Sequence, residues 1–307
     1  MNWLSLIFPI SAWLLAPLLL GVINRIKSVF AGRKGPSLFQ LYYDIFKLLQ
    51  KGRVYSRSTT LISRIAPILM LSCVILATLI LPWGGMPAPV TFAGDFILLI
   101  YLLGLARFAT VLLALDTGSA FEGMGASREV QFSALAEPAL FLGFIVLILH
   151  TRSMSLSAIS SNISIHDWQT SAALLVMVSF AWFFILLTEN ARIPVDDPNT
   201  HLELTMIHEV MILDASGPDL AFIEYASSLK LWLFSGLLVN LVVPLKFESL
   251  WQQFSVFIIG MLLVSILIGI IESVMARLKL LHIPIMLISS AALGLIALMI
   301  KILGFYQ

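Results

Sequence analysis

The stretch at residues 254–275, FSVFIIGMLLVSILIGIIESVM, contains a single charged residue, Glu272. A helix needs about 20 mostly apolar residues to cross the hydrocarbon core of a bilayer, so this stretch is long enough and apolar enough to span a membrane. The rest of the chain is similar, because 60% of its 307 residues are hydrophobic and only 11% are charged. A typical soluble domain carries roughly 25% charged residues. The composition therefore excludes a soluble enzyme.

Eight apolar runs predict an all-α, polytopic membrane protein that forms a single transmembrane domain over residues 1–307. The predicted spans lie at 4–23, 62–81, 96–115, 132–150, 171–188, 225–243, 254–275 and 283–303. No internal repeat or domain break is visible. The first run lacks a basic segment before it, so we interpret it as a retained span rather than a signal peptide.

The basic residues are distributed unequally between the two ends of these spans. Of the 18 Lys and Arg residues, thirteen lie at one end, nine of them around the loop between the first two spans; the other end carries Arg152, Lys246 and Lys301. Cytoplasmic loops carry the excess of Lys and Arg. We therefore expect a multi-pass protein of the inner (cytoplasmic) membrane with the 24–60 and 189–224 loops in the cytoplasm and both termini outside.

These two cytoplasmic loops are too long to be simple turns. In the first, apolar residues between 38 and 49 follow helical spacing and leave Gln40, Asp44 and Lys47 on the other side. This pattern predicts an amphipathic helix on the lipid surface. The second loop is acidic, with Arg192 as its single basic residue, which suits a protein partner or a polar channel mouth better than anionic lipid.

Arg107 and Glu137 lie inside predicted spans, too far from the ends to reach water easily. A charged side chain at a span centre costs about 2.5–3.5 kcal/mol, so the two are expected to face a hydrated proton path or to form a structural ion pair. We favour the path because further carboxylates cluster toward one face. The candidate residues are Arg107, Asp116, Glu129, Glu137, Glu189, Asp196, Glu203, Asp214, Glu224 and Glu272. Those at span ends could instead be solvated or cap helices.

The sequence gives little support for metal, redox or nucleic-acid sites. A single cysteine, Cys73, cannot supply the thiolates of an iron–sulfur cluster or a cysteine-bound nickel site. His201 and His208 are seven residues apart and lack the zinc-protease pattern of two His four apart. The net charge of +1 provides no electrostatic basis for nucleic-acid binding. We predict no metal site and no catalytic residue.

Both loops resemble those of a known family. RKGP at 33–36, followed by DIFKL at 44–48, resembles the first cytoplasmic loop of the complex I subunit 1 family. RIPVD at 192–196, followed by Glu203 and Leu204, resembles the acidic loop that lines the mouth of that family's polar channel. This sequence departs from the family by placing Asn199 and His201 where glutamates are common.

Further motifs distinguish the branches of this family. They are GD at 94–95, ARF at 106–108, LDTGS at 115–119, GASRE at 125–129, EP at 137–138 and the 272–277 segment with Glu272 and MAR. They resemble the membrane subunit of formate hydrogenlyase and other group 4 membrane-bound NiFe hydrogenases more than the quinone-reducing branch.

This resemblance implies a non-catalytic subunit of an energy-converting redox complex that docks a soluble module and couples its electron transfer to ion translocation. The implied partners are hydrogenase-like large and small subunits, an iron–sulfur subunit and antiporter-like membrane subunits, with the iron–sulfur clusters and NiFe site in the partners and no cofactor in this chain. The implied docking residues are Arg33, Lys34, Gly35, Pro36, Asp44, Lys47 and Arg192. One alternative is a quinone-binding complex I subunit, and another is a stand-alone ion-coupled transporter.

The orientation can be tested with reporter fusions. A reporter that is active only outside the cytoplasm should be active when fused after Gln307 and inactive when fused within the 24–60 loop, because the basic loop is retained inside. Activity at Gln307 of a reporter that works only in the cytoplasm would contradict the assignment.

Overall fold

The computed structural model describes residues 3–196, 206–244 and 249–304. Of the described residues, 76% are helical, and these ranges contain no β-strand. Eight helices in those ranges are long and apolar enough to cross a membrane. The expected all-α polytopic architecture is therefore confirmed.

The helices are numbered in chain order. The eight spanning helices are α1 (Ile7–Phe30), α3 (Ile62–Ile80), α4 (Asp95–Asp116), α5 (Ala120–Thr151), α8 (Ala172–Glu189), α9 (Pro218–Val242), α10 (Leu250–Val274) and α11 (Ile283–Ile302). The shorter helices are α2 (Gln40–Leu49), α6 (Leu156–Asn162) and α7 (Ile165–Thr170).

Three helices extend beyond the predicted spans at the predicted cytoplasmic end. Helix α1 continues past residue 23 to Phe30, α5 begins at Ala120 instead of 132, and α9 begins at Pro218 instead of 225. Apolar runs mark only the part of a helix that lies in hydrocarbon. The extra turns are more polar, and three of their charged side chains form ion pairs, namely Lys27, Glu129 and Asp219. These turns supply much of the candidate site.

Helix α9 lies at the centre of the bundle. Of its most apolar window, 72% is buried, against 33% for α10 and 28% for α11. It contacts α1, α2, α3, α8 and α10, while α3 packs on α4, α5 on α11, and α1 on α10. A polar side chain on α9 therefore points into protein rather than lipid, which matters for Lys230.

The predicted amphipathic helix is confirmed as α2, which has no buried residue. Two of its aromatic side chains remain exposed, Tyr43 at 62% and Phe46 at 65%. On the polar side, the Gln40 side chain donates a hydrogen bond to Asp44 at 3.0 Å. An exposed apolar face of this kind suits a helix lying on the membrane surface.

Two tyrosines fasten α1 to its neighbours. Pro17 lies inside α1 and has no N–H to donate to the Trp13 carbonyl one turn earlier. Tyr225 of α9 donates its hydroxyl to that carbonyl at 2.7 Å, and Tyr42 of α2 donates to the Leu14 carbonyl at 2.5 Å. Pro17 thus leaves the Trp13 carbonyl available, and α9 binds it through Tyr225.

The 51–60 segment runs across the starts of α3 and α9. Arg53 pairs with Asp219 at 3.3 Å, and Val54 N–H donates to the Ser216 hydroxyl at 3.0 Å. Gly217 has φ of 57°, and a Cβ there would lie 2.6 Å from the Gly52 carbonyl oxygen. Only glycine permits this close crossing. The contacts bring the two long loops together at one end of the bundle.

Candidate functional site

Arg107 is the centre of a buried ion-pair network. It lies near the middle of α4, and its side chain is 8% exposed. Its Nε is 3.4 Å from Glu129 Oε1, its Nη2 is 2.5 Å from Glu189 Oε1, and its Nη1 contacts Glu137 Oε1. A guanidinium has five N–H donors in a planar fork. It can therefore hold carboxylates from α5 and α8 at once.

Lys230 extends this network from the central helix α9. Its Nζ is 2.8 Å from Glu189 Oε2, so Glu189 lies between two cations. Removing each ion from water costs several kcal/mol, which only close partners recover. The ion pairs of Arg107 and Lys230 therefore link the packing of the four helices α4, α5, α8 and α9.

The network continues into the loop that precedes α9. The other oxygen of Glu129 is 3.1 Å from His208 Nε2, and His208 Nδ1 is 3.9 Å from Asp196 Oδ2. Asp196 also accepts hydrogen bonds from the backbone N–H groups of Ile207 and His208, and its Oδ1 is 2.9 Å from Arg277 Nη2. Among the described residues, a row of charged groups thus joins Arg277 and Asp196 to Arg107.

His208 is a titratable group of this row whose pKa is shifted by its neighbours. Burial lowers its pKa, but the nearby Glu129 carboxylate, with a smaller contribution from Asp196, more than offsets that effect and the Lys230 charge. The net result is a pKa above the usual value for histidine. The imidazolium form is therefore favoured in the folded protein.

A cavity of about 280 Å³ opens beside the network. One side is apolar and includes Leu20, Met70, Val74 and Ile223. The charged lining comprises Arg107, Glu129, Glu189, Arg192, His208, Glu209, Glu224 and Lys230. Such a cavity has room for several water molecules and enough polar groups to bind them. Glu224, a predicted path residue, is placed on its wall.

Glu272 lies in a separate cluster at the same end of the bundle. Its side chain is fully buried and forms ion pairs, with Lys27 Nζ 2.9 Å from its Oε2 and Arg192 Nη1 3.4 Å from its Oε1. The cluster ties α1, α10 and the start of the acidic loop together. Arg192 was expected to contact a partner, but it is 8% exposed. The Arg192 side chain is instead buried inside this chain, because it pairs with the buried Glu272 carboxylate together with Lys27.

Asp116 is placed at a helix start rather than in the network. Its carboxylate accepts from the backbone N–H groups of Thr60 and Ser63 at 2.8 and 3.2 Å, and from both hydroxyls. These residues surround the first turn of α3, whose N–H groups have no helical acceptor. The contacts match the capping alternative for a span-end carboxylate.

Asp214 is exposed, and no ion pair of its carboxylate with Arg107 is found among the described residues. Its backbone N–H donates to Glu122 at 3.1 Å. Glu122 is 1% exposed and also accepts from the Thr117 hydroxyl. Glu203, the remaining predicted path residue, lies outside the described residues, as does His201. The described residues contain no cluster that could hold a metal ion.

The predicted docking residues of the first loop are mostly at the surface. Arg33, Lys34, Pro36 and Lys47 are exposed, and Asp44 is half-buried. Gly35 has a packing role, because a Cβ there would lie 2.3 Å from the Ser28 hydroxyl oxygen. The exposed side chains form a basic surface at the α2 end of the bundle.

Four members of the two clusters were not among the predicted site residues: Lys27, His208, Lys230 and Arg277. Lys230 could have been found, because it lies in a long apolar segment where a lysine needs a partner. Lys27, His208 and Arg277 follow or precede apolar runs. Their sequence positions do not distinguish a buried ion pair from a solvated charge.

Comparisons with known proteins cover nearly the whole chain. The family model described as NADH dehydrogenase matches residues 2–302. Hydrogenase-4 component C of Escherichia coli (strain K12) is 33% identical over 270 residues, covering 86% of this chain and 84% of that protein. Formate hydrogenlyase subunit 4 of the same organism is 31% identical over 260 residues, covering 84% and 81%.

A solved structure shares the fold. The match is to a chain of the membrane-bound sulfane sulfur reductase (MBS), an archaeal respiratory membrane complex, with a TM-score of 0.81. It covers 97% of this chain and 98% of that chain at 16% sequence identity. At this identity the likeness establishes the arrangement of helices.

The central role of Arg107 predicts a large loss of stability on its removal. Arg107→Leu leaves buried carboxylates uncompensated and should lower the free energy of unfolding by about 3–5 kcal/mol. Labelling of Cys73, the single cysteine and 3% exposed, reports unfolding in detergent. Arg57→Leu, at an exposed position, is the control and should have little effect. Equal stability of both variants would contradict the network's structural importance.

The raised pKa of His208 predicts a pH-dependent contribution to stability. The contribution should be fully present below the unfolded-state pKa of about 6.5 and be lost as pH rises through the folded-state pKa. The excess in thermal midpoint of wild type over His208→Gln should therefore shrink as the pH rises above about 6.5 and through the raised folded-state pKa of His208. Exposed His282 provides the control, since His282→Gln should show a flat difference. A His208→Gln difference that grows with pH would refute this sign.

Proposed function

The chain belongs to the NADH dehydrogenase family, and from that premise we propose that it is a membrane subunit of a hydrogenase-type respiratory complex. The names of its relatives, a hydrogenase-4 component and a formate hydrogenlyase subunit, support this assignment. The single cysteine also supports it, because electron transfer through iron–sulfur clusters would need thiolates from other subunits.

We further propose that the Arg107 network is the proton path of this subunit. The observation that carries the proposal is the continuous row Asp196–His208–Glu129–Arg107–Glu137, which extends from a loop to mid-membrane depth. Carboxylates and imidazole can accept and release protons. An arginine remains protonated, so Arg107 stabilises the charges of its neighbours while water in the adjacent cavity relays protons between them.

The same geometry supports a coupling mechanism. Arg107 divides its donors among three carboxylates, so any change in the charge of one of them alters its attraction for the others. His208 brings the loop into this balance, since its imidazole lies between Glu129 and Asp196, with one ring nitrogen toward each carboxylate. A redox-driven shift of the loop in the complex would thereby change the proton affinity of groups deeper in the membrane.

For docking, we propose that the basic first loop and the acidic segment before α9 hold the soluble module. Both lie at the α2 end of the bundle, where Arg53 and Asp219 join them. Opposite charges on one face suit a partner with complementary patches, which gives orientation and specificity more than affinity. Arg33 and Lys34 are exposed there and available for such contacts.

One feature favours the quinone-binding alternative. A largely apolar groove of about 530 Å³ lies between α1 and α2, lined by Trp13, Pro17, Tyr42, Phe46 and Tyr225 among others. An isoprenoid chain would fit such a lining. Solvent extraction of the purified complex distinguishes the two functions: stoichiometric quinone would favour the alternative, and its absence the hydrogenase-type subunit. A stand-alone transporter would instead purify without partner subunits.

Glu137→Gln tests the proton path. The change preserves size and hydrogen bonding but removes the exchangeable proton, so assembly should persist while proton translocation per electron falls in sealed vesicles. Asp167→Asn is the control, because Asp167 pairs with His150 at the opposite end of the bundle. Normal pumping in an assembled Glu137→Gln complex would reject Glu137 as a required carrier. Loss of assembly alone would favour the structural ion pair.

Charge reversal tests docking. Arg33→Glu with Lys34→Glu should release the soluble module at moderate salt, because complementary contacts become repulsive. Arg152→Glu, on an exposed residue of the opposite end, should leave the module bound. The measurement is the amount of iron–sulfur protein retained on purified membranes after salt washing. Full retention with the reversed pair would count against this docking site.

A further inference from the structure

Glu137 presents a polar surface where lipid would otherwise lie. Its side chain is 40% exposed, although its partner Arg107 is only 8% exposed. Arg107 lies near the middle of α4, so the exposed carboxylate is at membrane depth. A charged group facing hydrocarbon is strongly unfavourable, and such groups face protein or water in membrane proteins. Something polar should therefore cover this part of the chain.

The neighbouring residues leave the carboxylate accessible. A Cβ at Gly104 would lie 3.7 Å from Glu137 Oε1, in ordinary van der Waals contact, so Gly104 adjoins the carboxylate and places no side chain of its own beside it. Tyr101 and Phe108, three residues before and four after Gly104, are 70% and 56% exposed. On α5, Val130 and Ala134 are exposed on the same face. We define the Glu137 patch as Tyr101, Gly104, Phe108, Val130, Ala134 and Glu137.

A second acceptor lies in this patch. Pro138 is inside α5 and lacks an N–H, so the Ala134 carbonyl has no helical donor one turn later. Ala134 and Pro138 are both exposed. The patch thus offers a carboxylate oxygen and a backbone carbonyl to the same side. In a bilayer, backbone polar groups are satisfied within the protein, so a donor from another segment would be favourable at this carbonyl.

The exposed surface of α10 and α11 is mostly aliphatic. Exposed residues of α10 and α11 include Ile259, Leu263, Ile288 and Ile296. Aliphatic side chains of this kind suit lipid tails. The two acceptors on α5 set the Glu137 patch apart from that surface.

We propose that the Glu137 patch is the contact surface for a transmembrane helix of a neighbouring subunit, and that this helix presents a hydrogen-bond donor or a cation to Glu137. The gap at Gly104 lets the partner's side chain approach, and the exposed Tyr101 and Phe108 pack on either side of it. Arg107 divides its charge among three carboxylates, so Glu137 still gains from a further donor. The inference rests on the proposed membership of a membrane complex.

Site-specific photo-crosslinking in the assembled complex tests this surface. A benzophenone amino acid replaces Phe108 in one variant and Leu263 of α10, 60% exposed, in the control. Phe108 should crosslink to a transmembrane segment of another subunit that mass spectrometry shows to carry a polar residue. Leu263 should give lipid adducts. Lipid adducts at Phe108, a crosslink to a second copy of this chain, or equal protein crosslinks at both positions would overturn the proposal.

Variants of Glu137 test the donor. Glu137→Gln keeps an acceptor oxygen and should retain the Phe108 crosslink, whereas Glu137→Leu should reduce its yield several-fold. Cys73 labelling confirms that both variants are folded. An undiminished crosslink in folded Glu137→Leu would overturn the role of the carboxylate. These outcomes are independent of proton pumping, so lipid adducts at Phe108 would refute the interface even if Glu137→Gln abolished translocation.

Discussion

The buried guanidinium of Arg107 is the constraint on which the rest of the site depends. An arginine near the middle of a spanning helix must be neutralised, and this one is held by carboxylates from α5 and α8. One of those carboxylates, Glu189, then requires Lys230 of α9 as a second partner. Satisfying one charge thus fixes the relative positions of four helices. The cost of burial makes the arrangement specific, because displacing any member leaves an unpaired ion in a poorly polar environment.

The loops complete this arrangement from one end. Asp196 and His208 link the segment before α9 to Glu129, while Glu272 ties Lys27 and Arg192 together. Asp116 caps α3, and Gly217 lets the first loop cross the start of α9. The loops are therefore closely joined to the membrane helices. This connection joins the loops, through ion pairs, to the charges near the middle of α4.

Sequence reasoning succeeded where a single residue or run is decisive. The apolar runs identified all eight spanning helices, and the spacing of residues 38–49 identified α2. Arg107 and Glu137 were recognised because ions within apolar runs need partners. Glu129 and Glu189 were named only as path candidates at span ends, and it is the structure that brings them to Arg107. Helix ends were less accurate: the first turns of α5 and α9 are too polar for an apolar-run criterion, although they are helical and packed.

The sequence by itself determined the helical membrane architecture and identified the charged residues that need a partner inside the membrane. It could do so because hydrocarbon requires each polar group to be satisfied within the protein, whatever its neighbours are. Only the tertiary structure decided which charges meet. Arg192 pairs with Glu272 across 80 residues, and Arg107 with Glu189 across 82, and no local pattern encodes such distances along the chain. The structure likewise moved Asp116 to a helix cap and brought His208 between two carboxylates. Partner choice depends on how the helices pack, which is a property of the whole chain.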